Sequence, residues 1–312
     1  MKTCLFVAAL LAMPIHAVVA EGKFERTLKV TGAVDLDVRT GAGSISVRPG
    51  DTASVRINGT IKSQDGEDRV RRLESNPPIE QTGNSIRIGH ITDHELERNI
   101  AISYEVVVPV ETRLRSQSGS GSLTIEGIRG PVDASTGSGG LTINNIGDEV
   151  KASTGSGSIR VDGVKGKVRA STGSGGIRGT GIAGPVVAST GSGGVRLEQT
   201  ASGGAEVKTG SGSIELSGVK GPLRAHSGSG SIRAEGDPSG EWNLEVASGG
   251  VHLKLPSQAA FDFRARTASG HISIDHPLSV QGLIGKKEVQ GKVRGGGPLV
   301  SVRTASGNID VQ

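Results

Sequence analysis

The sequence predicts an all-β chain: a parallel β-solenoid, β-helix-like, with about 18 residues per coil and a degenerate N-terminal capping region. Three observations predict it. The dipeptide Ser-Gly returns every 18 residues, at Ser120-Gly121, Ser138-Gly139, Ser156-Gly157, Ser174-Gly175 and Ser192-Gly193. Within each copy the apolar residues alternate. Glycine, 50 of 312 residues, falls in phase with them, which is the mark of repeated corners and not of disorder. The beat continues less regularly at Ser211, Ser229, Ser248, Ser269 and Ser306, with an extra short copy at Ser202-Gly203.

Each copy holds two short strands. Ile159 and Val161 flank Arg160, and Leu123, Ile177, Val195, Ile214 and Ile232 open the same slot. A second run carries Val132, Val150, Val168, Val186 and Leu223. Alternation at period two is a strand with one buried face. Glycine every few residues excludes a helix, each costing about 1 kcal/mol in a helix interior. One such coil cannot stand alone, because burying its few aliphatic side chains does not offset the entropy of ordering it; stacking does, each coil hydrogen-bonding its neighbours.

The chain divides into residues 1–20, a signal peptide; 21–115, β-rich capping and early coils; and 116–312, regular solenoid with an excursion at 276–297. Lys2, the apolar run Leu5 to Met13 and the small residues Val18-Val19-Ala20 make the signal, with the exported chain beginning at Glu21. The apolar run is too short for a membrane anchor, and no later stretch offers a transmembrane segment. The one cysteine, Cys4, leaves with the signal. From Phe24 to about Arg115 the repeat degenerates. Gly41 to Ser44 echoes the later corner, Asp65 to Ser75 reads as a short helix or an excursion ending before Asn76-Pro77-Pro78, and Ile102 to Val110 reads as a strand at an edge or an end.

This layout resembles the bacterial "putative adhesin" family of β-strand repeat proteins, DUF4097-like, a domain family of unknown function found in exported and envelope proteins. The residues that carry the resemblance are the early Gly41 to Val47, Val108-Pro109, the serial S-G-S/G-I/V units and the tail Gly295 to Val311. The resemblance implies a fold and a surface role, and carries over no catalytic residue.

No enzyme chemistry is legible. Polysaccharide-cleaving solenoids cluster acidic residues on one face. Here the in-phase positions are Thr124, Thr142, Arg160, Arg178, Arg196, Glu215 and Arg233. The Asp that follows the glycines in calcium-binding solenoids is replaced by Ser, Ile and Arg. His90 and His94, with Asp93, Glu95 and Glu97 nearby, form the one His/acid cluster. A pair four apart on a helix can ligate zinc, but a solvated loop is the plainer reading and neither a metal nor another cofactor is expected.

Two ladders stand out. Arg160, Arg178 and Arg196 occupy equivalent places on successive coils, and Lys151 stacks with Arg169; together they make a candidate anion-binding face, set against the plainer reading of a solvated face with Asp162, Glu198 and Glu206 nearby. Nucleic acid is not an expected partner, since aromatics for base stacking are scarce. The second ladder is Ser135-Thr136, Ser153-Thr154, Ser171-Thr172 and Ser189-Thr190, whose adjacent side chains point to opposite faces and whose plain role is turn hydrogen bonding, with ice binding the rejected alternative. Trp242, Phe261 and Phe263 are expected to fill a widened C-terminal coil.

The sequence thus supports a non-enzymatic exported envelope or surface protein, in the periplasm or at the cell surface, acting as an adhesin-like binding surface or a spacer, with an anionic envelope polymer or another envelope protein as partner. The alternative is an envelope assembly or stress-sensing module that acts through its open C-terminal coil.

Overall fold

The computed structural model describes residues 20–64, 66–91, 99–280, 285 and 287–312. Each 18-residue copy contributes two strands, as its alternation dictates, and the two join different sheets. Strands such as Leu141–Ile146, Ile159–Val164, Ile177–Ile182 and Val195–Gln199 build the first sheet. Val132–Thr136, Val150–Thr154, Val168–Thr172 and Val186–Thr190 build the second. Among the described residues the sheets hold 14 and 15 strands. Through the repeats the strands pair in parallel and, apart from shifts after Gly179 and Leu216, in register: Ile159 lies beside Ile177 and Ile177 beside Val195, while Val150 lies beside Val168. The stack is the expected solenoid.

Ile159, Ile177 and Val195 are each 3% exposed or less and form one buried file, whereas Arg160, Arg178 and Arg196 point outward. The strand phase is therefore as the alternation reads. Inside, the files from both sheets join one apolar core that runs the length of the stack. The extra Ser202-Gly203 copy is not a coil of its own; it lengthens one coil by a single residue, so that Val186 pairs with Ala205.

At the corner after the four strands Val132–Thr136, Val150–Thr154, Val168–Thr172 and Val186–Thr190 of the second sheet, serine faces out and threonine faces in. Thr136, Thr154, Thr172 and Thr190 are buried. Each hydroxyl donates to a glycine carbonyl of the preceding coil, at 2.8 to 2.9 Å, and accepts the N–H of the glycine three residues on. Ser118, Thr209, Ser227, Thr267 and Thr304 repeat the donation elsewhere in the stack. The threonine ladder is thus an internal set of ties between coils.

Both ends depart from chain order. The first coil, Val34–Thr40 with Ile45–Pro49, sits directly against the regular repeats, pairing with Thr112–Ser118 and Leu123–Glu126. The residues between them, together with Ala20–Lys29 from before the first coil, fold outward as a cap: Ile100–Val108, then the antiparallel Ser54–Ser63 and Ala20–Lys29 on the first sheet. Ile100–Val108 is therefore interior in its sheet, not at an edge, and Pro109 lies just past its end. The expected short helix is present as Glu67–Ser75, with Arg71 and Glu67 paired at 2.6 Å; it buries Val70 and Leu73, and Glu74 accepts the N–H of Lys23.

At the other end the tail does not form an open last coil. Leu299–Ser306 and Ile309–Val311 slide between the coil of Trp242–Ser248 and Val251–Lys254 and the coil of Phe261–Ser269 and Ile272–Ile274. The coil that ends the chain is thus interior, because its apolar face is covered on both sides. Within the expected excursion, Glu288–Val293 runs antiparallel to Phe261–Ser269 and closes the second sheet together with Leu278–Ser279; residues 281–284 and 286 lie outside the described residues. Trp242 fills this end as anticipated, fully buried with its Nε1–H donating to Gly221 at 2.9 Å, and Phe261 meets Phe263 edge to face at 6.2 Å.

Candidate functional site

Arg160, Arg178 and Arg196 lie side by side across three strands of the first sheet because a parallel in-register ladder stacks equivalent residues. They are exposed and, with Ser158, Gly176 and Gly194, line a shallow groove along the stack. Their electrostatics differ. Arg196 is held by Glu215 on the next coil, Nε donating to Oε2 at 2.5 Å. Arg160 and Arg178 have no ion-pair partner among the described residues. Asp162, two residues from Arg160, is engaged by the Thr180 hydroxyl at 2.5 Å.

The other two basic residues do not join them. Lys151 and Arg169 stand on strands of the second sheet, so the five-residue face read from the sequence divides into two faces. The reason is the two strands per coil: a repeat of 18 aligns residues within a sheet but says nothing of residues half a coil apart. Lys151 pairs with Asp133 at 3.2 Å and Arg169 with Glu149 at 3.8 Å, so both already have counter-charges. On the same sheet Glu206 accepts a hydrogen bond from Lys208 at 2.7 Å, which lowers its pKa.

Sequence reasoning missed these ties between coils, although Asp133 precedes Lys151 by one repeat and the pairing was legible in the period. It also missed Gly176 and Gly194 as part of the groove. In this place other coils carry Ser122, Gly140, Ser158, Ser213 and Ser231, so the position varies between glycine and serine along the stack.

His90 lies against the second sheet, its Nε2 3.6 Å from Asp37 Oδ1, and Asp37 also takes both Nε and a terminal nitrogen of Arg39 at 3.1 Å. His94, with Asp93, Glu95 and Glu97, lies outside the described residues, as does the signal peptide through residue 19. Among the described residues no three His, Cys, Asp or Glu side chains come together as a metal site.

The Toastrack DUF4097 family model matches residues 34–312, from the first coil to the last. The chain belongs to the Toastrack DUF4097 family. The solved structures similar to it include a putative cell adhesion protein from Clostridium sporogenes, 12% identical over 93% of this chain and 98% of that one, with a TM-score of 0.23. A putative lipid binding protein from Parabacteroides distasonis is 12% identical over 92% and 96%, with a TM-score of 0.36. A putative adhesin from the same organism is 10% identical over 93% and 97%, with a TM-score of 0.32. No curated protein matches the chain. The Toastrack assignment accords with the two-sheet stack and brings no catalytic residue with it.

Proposed function

We propose that this Toastrack chain is a non-enzymatic, exported envelope or surface protein whose stack serves as a stiff binding surface, with an anionic envelope polymer as its partner. The observation that carries this reading is the pair Arg160 and Arg178, aligned cations on neighbouring strands without a counter-charge among the described residues. Like charges directly opposite one another on a sheet destabilise it, so such a pair has a use outside the fold. The threonine ties hold the coils in register, and a rigid array loses little entropy on binding.

Cell fractionation followed by retention of the purified chain on immobilised envelope polymers tests this. Recovery in the periplasm or at the surface, with retention that falls as salt rises, supports it, because screening acts within about 10 Å at 0.1 M. Recovery in the cytoplasm overturns it.

A second reading, assembly or stress sensing through the stack's end, draws on one feature. Among the described residues Ile272–Ile274 closes the first sheet with a partner on one side only, whereas the opposite end strand, Ala20–Lys29, is covered by the helix Glu67–Ser75. A free strand edge is a site for pairing with another chain. A concentration-dependent increase in sedimentation coefficient favours this reading over the first.

A further inference from the structure

We propose that the groove along Arg160, Arg178 and Arg196 takes one extended strand of an acidic polysaccharide of the uronate class, its carboxylates meeting the guanidinium groups of Arg160 and Arg178 while its sugars pass over Gly176 and Gly194. This deepens the surface-binding reading and rests on it. The first support is periodicity. The cations repeat at one strand spacing, about 4.8 Å, along the stack. A partner that uses Arg160 and Arg178 together is linear and runs parallel to the stack, with acidic groups spaced to reach neighbouring coils. An extended polyuronate is linear and carries carboxylates at a regular interval, which suits a linear ladder of cations.

The second support is the nature of the donors. The arginine fork pairs with a planar carboxylate through two parallel hydrogen bonds. The same register continues through Thr142 and Thr124, whose hydroxyls suit sugar oxygens, and the next carboxylate in the file is Glu215, already occupied by Arg196. Several cations on other coils have counter-charges from a neighbouring coil, as in Lys151 with Asp133, Lys254 with Glu235 and Arg303 with Glu245, whereas Arg233, further along this file, has none among the described residues. Arg160 and Arg178 are left without them.

The third support is what glycine does at positions 176 and 194. A Cβ at Gly176 would have only the Gly194 carbonyl oxygen within 4 Å, at 3.4 Å, and one at Gly194 only that of Ser213, also at 3.4 Å. Those are ordinary contacts, and neither residue has a positive φ. The fold therefore accepts a side chain at both, as Ser158 and Ser213 show in adjoining coils. Glycine beside the arginines leaves the groove floor open. Nucleic acid fits poorly, since Phe24, Tyr104, Trp242, Phe261 and Phe263 are all buried and no stacking platform is offered on this face.

The test is equilibrium binding of the exported chain to polygalacturonate, with its fully methyl-esterified form, inorganic polyphosphate and duplex DNA as the other arms. The wild-type chain should bind polygalacturonate and not the ester. Arg160→Gln with Arg178→Gln should weaken binding by at least about tenfold, two charge pairs being lost. Gly176→Glu, which places a competing carboxylate in the groove, should do the same. Lys151→Gln with Arg169→Gln removes the same charge from the opposite sheet and should change affinity less than about twofold. Melting temperatures of all variants identify any that are misfolded, and Gly176→Glu and the arginine pair test the groove independently. Absence of binding to polygalacturonate, equal loss from the opposite-sheet pair, or tighter binding of polyphosphate or DNA overturns the proposal. Retention on whole envelope polymers without binding to polygalacturonate overturns this inference and leaves the surface-binding reading standing; retention on neither overturns both.

Discussion

The hydroxyl of Thr172 donates to the carbonyl oxygen of Gly157, 2.8 Å away on the preceding coil, and accepts the N–H of Gly175 on its own coil. One side chain therefore satisfies two backbone groups that the tight corner leaves without strand partners. The same tie recurs at Thr136, Thr154 and Thr190, so the corners of successive coils are held at one distance. This ladder keeps the outward residues of the sheets aligned, and the arginine file depends on that alignment.

Replacing Thr172 with Val keeps the shape and removes both hydrogen bonds. Stability should fall by about 1–3 kcal/mol, because a buried carbonyl and a buried N–H lose their partner. Urea unfolding measures it; an unchanged midpoint and slope would show the ties to be dispensable.

Val246 occupies the same register between Ser227 and Thr304 and cannot make the tie. Val246→Thr should gain about 0.5–1.5 kcal/mol by adding a hydrogen bond at a buried corner. A loss of stability in thermal unfolding would mean that this corner has no acceptor within reach.

Neighbouring glycines should respond in opposite ways. A Cβ on Gly175 would lie 1.9 Å from the Gly157 carbonyl oxygen, so coils could not approach. Gly175→Ala should cost more than about 3 kcal/mol or prevent folding, while Gly176→Ser should stay within about 0.5 kcal/mol of wild type. Comparable melting temperatures for the two variants would contradict the corner geometry.

Much of this was legible in the sequence. The 18-residue beat and the alternation around Arg160 gave the stack, the strand phase and the exposed file. That Ser171 and Thr172 face opposite ways followed from their adjacency; which of them faces in did not. The division of Lys151 and Arg169 from Arg160 was not legible, because a repeat fixes neighbours within a sheet and leaves open which sheet each half of the coil joins. Nor was the tail's position. Leu299–Ser306 matches the repeat wherever it stacks, and its insertion beside Trp242–Ser248 is decided by which apolar faces are left to cover.

Tyr104 offers a pH test. It is buried against Phe24, its hydroxyl has no protein partner among the described residues, and burial pushes its pKa well above the usual value. The fold holds the neutral phenol. Its contribution is fully present below the ordinary tyrosine pKa of about 10 and is lost as pH rises beyond it, because the unfolded chain ionises first. Tyr104→Phe should flatten that alkaline loss and leave stability at pH 7 equal or slightly higher. A steeper alkaline loss in the variant would contradict the assignment.

The alignment of outward residues coil by coil is tested most directly by distances between paired nitroxide labels, with Cys4 replaced by Ser and cysteines introduced along one register. Thr142 and Arg233 are five strands apart, through Arg160, Arg178, Arg196 and Glu215, and His252 is one strand further. Pulsed electron paramagnetic resonance should give about 24 Å for the 142–233 pair and about 29 Å for the 142–252 pair, one strand spacing more. Distances that fail to grow by one spacing per coil, or broad distributions for both pairs, would contradict the stacked file.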